Sequence, residues 1–242
     1  MSSAALSITW LGHATFILTL PHGPRVLTDP WLGNPKCPAK FAKPEAVKPI
    51  DLILLSHGHN DHADDLIAVA RATGAPVVCI HEAGHFLTAK GLQHVSDMNI
   101  GGTQVIAGVT ITMTPAMHSG GFVDAGRMVY LGAPAGYVLT AAGLPTIYFA
   151  GDTGLFGDMK VIGEVYRPQI AFLPIGDRYT MGPDTAAIAA RWLGVRQVVP
   201  MHWGTFPVLT GTPDALSAVL AGEGIDVLRI NPGETAVAPD GP

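Results

Sequence analysis

Short apolar runs separated by turn residues fill the first 30 positions of the chain. The runs at 6–11, 15–20 and 25–28 are interrupted by Gly12-His13 and by the turn-forming stretch at 21–24. Runs of this length, bounded by glycine and proline, are typical of strands joined by tight turns. The pattern therefore predicts an antiparallel β-meander at the start of the chain.

The pattern changes near residue 51. The apolar run at 51–55 suits a strand buried on both faces. From residue 64 the apolar spacing becomes helical, and it is followed by a strand pattern at 76–80 and a helix pattern at 82–90. This β-α-β-α order predicts parallel strands that continue the first sheet.

The second half of the chain repeats this organisation. Strand patterns are followed by helix patterns that alternate with further strands. The predicted strands are 104–106, 109–114, 127–130, 137–140, 146–149, 170–174, 197–200 and 227–230, and the predicted helices are 157–165, 183–193 and 213–220. Two such halves predict two mixed sheets packed face to face with helices outside, a four-layer αββα sandwich of the α/β class. Without a linker or tandem repeat, we expect a single domain over residues 1–242.

Composition narrows the classes of function. Apolar residues make up 48% of the chain and charged residues 14%, which excludes intrinsic disorder and coiled coils. The 14 Lys and Arg face 19 Asp and Glu, so no global positive field favours nucleic acid. No apolar run approaches the roughly 18 residues of a membrane span, and no charged signal-peptide start precedes Arg25. We expect a cytoplasmic protein without a membrane partner, and its two cysteines, Cys37 and Cys79, to be reduced thiols outside any CxxC motif.

Three histidines and an aspartate follow the buried strand directly, in Ser56-His57-Gly58-His59-Asn60-Asp61-His62. Imidazole nitrogen and carboxylate oxygen are ligands of first-row metals. Alternation in an extended loop points His57 and His59 the same way, whereas Asp61 and His62 point elsewhere. The spacing predicts a metal site with ligands for a second ion.

Further ligands come from three later loops, each of which follows a predicted strand. They are His118 after the strand at 109–114, Asp152 in Gly151-Asp152-Thr153-Gly154, and His202 after the strand at 197–200. Ligands in layered α/β folds collect beyond strand ends. We therefore predict seven metal ligands: His57, His59, Asp61, His62, His118, Asp152 and His202.

These motifs together resemble the metallo-β-lactamase superfamily over nearly the whole chain. The resemblance implies that His57, His59 and His118 hold one metal, that Asp61, His62 and His202 hold another, and that Asp152 bridges them. It also implies a supporting role for Asp29 of Thr-Asp-Pro. Trp10-Leu-Gly-His13, Thr28-Asp-Pro-Trp31, 173–177 and Met201-His-Trp-Gly204 resemble the branch of uncharacterised metal-dependent hydrolases related to ascorbate-6-phosphate lactonases.

The ligand set also separates this chain from other branches. Neither cysteine occupies a motif position, which disfavours β-lactam hydrolysis, and His59 stands where flavodiiron relatives carry an acidic residue. Two divalent ions are expected, with zinc as the default and manganese, nickel or iron as alternatives.

A paired metal centre makes hydroxide available at neutral pH, so the predicted chemistry is lactonase-like hydrolysis of a small ester-like substrate. The substrate is a lactone, phosphodiester or thioester. Asp61 is the predicted catalytic residue, which orients the attacking water and takes its proton. The candidates for protonating the leaving group are Tyr179, Asp177 and His13, of which the resemblance places His13 at the mouth of the site. Arg178 is a candidate anion clamp, and Thr205 a candidate pocket residue.

Several alternatives remain at this point. A nuclease or phosphodiesterase acting on nucleic acid would need a basic face, and a non-catalytic metal-binding module would leave an open ligand set unused. His81-Glu82-Ala-Gly-His85 matches the HExxH zinc motif, but Gly91 stands where the extended motif has a third ligand, so we predict no catalytic metal there. A small-molecule substrate is the expected partner, and homo-oligomerisation stays open.

Overall fold

The computed structural model describes residues 5–21 and 23–238, and within them the chain alternates short strands and helices. The strands are β1 (Ser7–Trp10), β2 (Phe16–Thr19), β3 (Arg25–Thr28), β4 (Leu52–Leu54), β5 (Val77–Ile80), β6 (Val95–Met98), β7 (Thr103–Ile106), β8 (Val109–Pro115), β9 (Phe122–Asp124), β10 (Arg127–Val129), β11 (Ala135–Thr140), β12 (Ile147–Phe149), β13 (Ile170–Pro174), β14 (Gln197–Met201), β15 (Asp226–Val227) and β16 (Thr235–Val237). The α-helices are α1 (Asn60–Ala63), α2 (Leu66–Thr73), α3 (His81–Ala89), α4 (Met159–Tyr166), α5 (Pro183–Leu193) and α6 (Pro213–Val219), and 3₁₀ turns lie at Ala39–Phe41 and Pro44–Val47.

Two seven-stranded sheets share one plan. The first has the order β16-β1-β2-β3-β4-β5-β6, and the second the order β15-β14-β13-β12-β11-β8-β7. In the first, β16 to β3 pair antiparallel and β3 to β6 parallel. In the second, β7, β8, β11 and β12 pair antiparallel, and β12 to β15 parallel. Each half is thus a meander extended by β-α units, as the sequence predicts.

The sheets pack face to face through a shared core. The Phe16 and Phe172 rings, one from each sheet, lie edge to face with centroids 5.0 Å apart. The buried Tyr137 hydroxyl donates to the Leu55 carbonyl across the sandwich at 2.6 Å, which satisfies its polar atom. Burying each large apolar side chain stabilises the fold by about 1.5–3 kcal/mol. With helices outside, the two mixed sheets form a four-layer αββα sandwich and confirm the predicted fold class.

Helix α5 shows how the outer layer is encoded. Pro183 occupies its first turn, where a missing N–H costs nothing, and Gly194 ends it with φ +68°. Its buried face consists mainly of alanines, whose small side chains allow the helix to lie close to the sheet. The buried residues are Ala186, Ala187, Ala189, Ala190 and Leu193. Helix α6 begins at Thr212, whose side chain accepts from the Ala215 N–H at 3.1 Å.

Several elements differ from the sequence prediction. The strand expected at 227–230 is limited to Asp226–Val227, because only these two residues pair with β14. The strand expected at 127–130 pairs with β9 in a separate two-stranded hairpin instead of joining the second sheet. The sequence analysis also missed β6, β9, β16 and the short helix α1. All four are three or four residues long, too short to display a period.

The site lies at one edge of both sheets. The loops after β4, β8, β12 and β14 carry the predicted metal ligands, and the turn after β1 carries His13. These strands run the same way within their sheets, so their carboxyl ends meet at the same edge. No helix in the described part of the chain is long and apolar enough to cross a membrane. The single domain over 1–242 stays a prediction.

Candidate metal centre

Three histidines converge at the solvent-facing side of this edge. One ring nitrogen from each of His57, His59 and His118 lies within 4.8 Å of the other two. His57 Nε2 and His59 Nδ1 are 2.9 Å apart, and both rings lie edge-on to His118 with centroids about 5 Å away. His57 is buried, whereas His59 and His118 are partly exposed. This group matches one of the two predicted ligand sets.

A second group lies deeper and contains four residues. Ligand atoms of His13, Asp61, His62 and His202 all lie within 4.8 Å of one another. Asp61 Oδ2 is 3.1 Å from His13 Nε2 and 3.6 Å from His202 Nε2. The structure thus brings Asp61, His62 and His202 together as predicted, and adds His13 to them.

Asp152 lies between the two groups. Its Oδ2 atom is 3.0 Å from His202 Nε2 and 3.4 Å from His62 Nε2 in the deeper group. The same atom is 3.6 Å from His118 Nε2 in the three-histidine group. One carboxylate therefore touches both ligand sets. The preceding Gly151 has φ +60°, and a Cβ there would meet the Ser56 Cβ at 2.7 Å, so only glycine permits this approach of β12 to the β4 loop.

Asp29 supports the centre from behind. Its Oδ1 accepts from the Ser56 N–H at 2.7 Å, and its Oδ2 from the Ser56 hydroxyl at 2.6 Å. His62 Nδ1 donates to the same Oδ2 at 2.8 Å, so His62 Nε2 is directed at Asp152. A carboxylate that fixes the tautomer and orientation of an imidazole is the usual support of a metal-ligating histidine.

Local backbone geometry aims the side chains. Helix α1 begins at Asn60 after His59, and this change from extended to helical backbone turns Asp61 and His62 away from His57 and His59. His13, Asp29 and His202 have φ of 54°, 38° and 53°. Such left-handed backbone costs roughly 1–2 kcal/mol in a non-glycine residue. Strain of this kind collects at functional sites.

The carboxylates of the centre are held ionised. Burial by itself raises the pKa of Asp152, but the His202 and His62 rings lower it well below its usual range. The pKa of Asp61 is likewise raised by burial and lowered much further by hydrogen bonds from His13 and His202. Both side chains therefore carry negative charge at neutral pH.

The pKa shifts of the histidines differ because their neighbours differ. Burial lowers the pKa of His57, His59 and His118. Burial and the nearby His202 lower the pKa of His13 to about 4. Burial alone would lower the pKa of His202 and His62 as well, but the Asp152 carboxylate outweighs it and raises the pKa of His202 to about 9 and that of His62 well above its usual value.

The donor set fits divalent metal. In the described part of the chain, the buried His62 Nε2 and Asp152 Oδ1 atoms have no hydrogen-bond partner. A buried polar atom without a partner costs about 1–3 kcal/mol. Five imidazoles and two carboxylates are nitrogen and oxygen donors suited to zinc and its neighbours. Neither cysteine belongs to these groups, and burial raises the pKa of Cys37 to about 11 and that of Cys79 to about 12.

The residues predicted to bind substrate are divided between two places. His13 is fully buried, and its Nδ1 lies 2.9 Å from the hydroxyl of Thr205, which is itself 8% exposed and lies behind the imidazole. Asp177, Arg178 and Tyr179 form an exposed loop whose contacts are local, such as the Arg178 guanidinium over the Tyr179 ring at 5.8 Å. The structure does not bring these three side chains to the histidines.

Sequence reasoning missed two groups that shape the centre. The Ser56 hydroxyl links Asp29 to His57 Nδ1, which lies 2.9 Å away, and its position directly before the motif was the available signal. Trp31 and Phe206 stack on each other at 5.7 Å, and both rings lie edge-on to His13. They come from loops about 175 residues apart, so no local pattern could pair them.

The chain is similar to known proteins both in sequence and in fold. A family model described as "Beta-lactamase superfamily domain" matches residues 24–203. A UPF0173 metal-dependent hydrolase of Koribacter versatilis is 48% identical over 236 residues, 97% of this chain and 99% of the relative. Another, of Solibacter usitatus, is 47% identical over 230 residues, covering 95% of this chain and 98% of the relative. A solved metallo hydrolase of the archaeon Ignicoccus hospitalis is 35% identical, with a TM-score of 0.86 and coverage of 97% and 99%.

Proposed function

The chain belongs to the β-lactamase superfamily, among its metal-dependent hydrolases, and from that premise we propose that it hydrolyses a small ester-like substrate at two divalent ions. The observation that supports a paired centre is the contact of Asp152 Oδ2 with histidines of both groups. In this proposal His57, His59 and His118 hold one ion, Asp61, His62 and His202 hold the other, and Asp152 bridges them. Zinc suits the donors, and manganese, nickel or iron are alternatives.

The metals, when bound, lower the pKa of water toward neutrality and polarise the oxygen of the bond to be cleaved. The other steps are carried out by residues of the chain. The Asp61 side chain is 27% exposed, and the partly exposed His59 and His118 belong to the other ligand group. Asp61 accepts a hydrogen bond from the attacking water and orients it at the exposed side of the two ligand groups. Asp61 takes the proton of that water as its oxygen attacks, and because its lowered pKa makes it a weak base, it passes the proton on to solvent.

His13 positions Asp61 in this scheme. Because the carboxylate can only accept, His13 Nε2 carries the proton and donates at 3.1 Å. The lowered pKa of His13 makes the ring neutral at pH 7, so its Nδ1 accepts from the Thr205 hydroxyl at 2.9 Å. The chain of Thr205, His13 and Asp61 therefore fixes the rotamer of the catalytic carboxylate. We assign Thr205 to this support role.

The loop of Asp177, Arg178 and Tyr179 is proposed to act on the outer part of the substrate. Met181, which follows it, donates its N–H to the Thr153 carbonyl at 3.1 Å, next to Asp152. The loop is thus anchored to the centre through its backbone while its side chains face solvent. Arg178 can pair with an anionic group at the outer end of the substrate, and Tyr179 and Asp177 can hydrogen-bond to that end. A net charge of −5 supports a small-molecule substrate over nucleic acid.

The test combines metal analysis with a substrate panel. We expect about two metals per native chain and clear loss of metal in Asp61→Ala. The matched control is Asp64→Asn, which changes an exposed acidic residue at the end of the same helix. Native protein, but not Asp61→Ala, should cleave a lactone, a thioester or a phosphodiester.

Other outcomes would change the assignment. One metal or none in the native chain argues against the paired centre. Full metal content without cleavage of any substrate in the panel favours a non-catalytic binding module. If the loaded protein instead binds nucleic acid with a steep salt dependence and cleaves it, the nuclease function is correct.

A further inference from the structure

A second pair of histidines lies outside the centre just described. Helix α3 begins with His81 directly after β5, and His85 follows one turn later. Their Nε2 atoms are 3.2 Å apart, and the rings are edge to face with centroids 4.5 Å apart. On the neighbouring strand β6, Asp97 Oδ2 lies 2.5 Å from His81 Nδ1. Both imidazoles are exposed to solvent.

The close approach of β6 to α3 depends on Gly84. A Cβ at Gly84 would lie 2.6 Å from the Cβ of Asp97, closer than two such atoms can come. The absence of a side chain at Gly84 therefore lets the helix lie against β6. Because of that contact, the Asp97 carboxylate reaches the ring at the start of the helix. Residues four apart on a helix share one face, so His85 joins them.

Hydrogen-bond polarity decides which nitrogens are available. The hydrogen bond from His81 lowers the pKa of Asp97, so its carboxylate is ionised and can only accept. His81 Nδ1 must therefore carry the proton, and His81 Nε2 keeps its lone pair toward His85 Nε2. An imidazole held by a carboxylate on one nitrogen and free to coordinate through the other is the arrangement found at metal-ligating histidines.

We propose that His81 and His85 bind one late first-row divalent ion through their two Nε2 atoms, with Asp97 orienting His81. Two imidazole nitrogens at about 2.0–2.1 Å from a tetrahedral ion are about 3.3 Å apart, close to the separation in the structure. When the ion binds, it takes the place of the proton that His85 Nε2 shares with His81 Nε2. His85 then carries its proton on Nδ1. Water supplies the remaining coordination positions, because both rings face solvent.

This site differs from the predicted catalytic centre in its ligand number. Two exposed imidazoles make a weaker and more exchangeable site than the seven ligands of the predicted centre, four of which are buried. Affinity should follow the order in which nitrogen sites prefer copper over nickel and zinc. A peripheral site of this kind takes up metal only when free metal is abundant.

The experiment uses zinc-loaded native protein dialysed against a graded series of NiCl2 concentrations, with bound nickel and zinc measured together. We expect the native chain to bind one more nickel ion than His81→Gln or His85→Gln. His94→Gln, which removes an exposed histidine elsewhere, is the matched control and should bind as the native protein does. Asp97→Asn should weaken nickel binding by about 10–100-fold without abolishing it.

Equal nickel binding by the native protein, His81→Gln and His85→Gln would overturn the proposal. The substitutions lie on the surface, and a melting temperature close to that of the native protein verifies that each variant folds. Hydrolytic activity and retained zinc should be unchanged in all four variants. Loss of the extra nickel with normal hydrolysis thus supports this site alone, whereas failure of hydrolysis in the native protein leaves the nickel result intact.

Discussion

Two histidine motifs follow neighbouring parallel strands of one sheet and have opposite surroundings. After β4, His57 and His62 are buried and surrounded by residues from five other loops. After β5, His81 and His85 are exposed and meet one carboxylate from the adjacent strand. Both motifs match metal-binding spacings in the sequence. The difference shows that a motif's local spacing identifies possible metal ligands. The number of donors that converge depends on residues contributed by distant parts of the chain.

The sharpest way to test this difference is to remove the carboxylate that joins the buried groups. Asp152→Asn leaves the volume unchanged but removes the charge that faces His62, His118 and His202. Loss of one group that stabilises the reacting centre typically costs on the order of 100–1000-fold in kcat, and we expect at least that. Steady-state kinetics and metal analysis measure the effect. A variant that keeps two metals and native kcat would contradict the bridging role.

The next prediction concerns removal of metal from the buried motif. In protein stripped by a chelator, the raised pKa values keep His62 and His202 protonated at pH 7.5. Zinc must displace these protons, so adding it should release about two protons per chain into weak buffer. Release should fall when the experiment is repeated above pH 9, because His202 has then already lost its proton. An indicator dye measures the release, and no difference between the two pH values would count against this assignment.

The support behind the buried motif should have a smaller effect. Asp29→Asn keeps an oxygen beside Ser56 and His62 but removes the charge. We expect zinc affinity to fall by about 10–100-fold while kcat at saturating zinc stays near native. Zinc titration of activity against a competing chelator measures this. A purely structural role would lower the folded fraction and leave the zinc dependence of the folded protein unchanged.

The exposed motif should matter least for hydrolysis. Replacing both His81 and His85 by glutamine should leave kcat/KM unchanged and the tightly bound metal intact. The reason is that neither ring belongs to the buried groups: the two rings contact each other, and His81 also bonds to Asp97. Kinetics on the best substrate of the panel provide the comparison. If the double variant loses both hydrolysis and the tightly bound metal, the catalytic site lies at α3 instead.

The sequence was sufficient for the parts of the site whose ligands follow a recognisable strand. His118, Asp152 and His202 each come after such a strand, and the structure brings them to His57–His62 as expected. It was insufficient where the contact joins distant residues. The bond between His13 and Thr205 spans 192 positions, and nothing local to either residue predicts it.

In the fold, too, elements with a local sequence pattern could be predicted and elements formed by distant pairing could not. Long elements such as α5 carry enough turns to display their period, and their bounds agree with the pattern. The strand β16 has only three residues and gains its identity from pairing with β1. For the loop of Asp177, Arg178 and Tyr179, residue type suggested contact with the centre, but left-handed backbone at Asp177 and Arg178 accompanies an outward course.

The pairing of β16 with β1 has a consequence for biosynthesis. Ser7 to Thr9 pair with Thr235 to Val237, so Thr235 leaves the ribosome 226 residues after its partner Thr9. Until then β1 is an open edge that can pair with another nascent chain. The sheet that begins to form first is therefore complete only after β16 has been made, and a chain shortened before Thr235 should aggregate during expression.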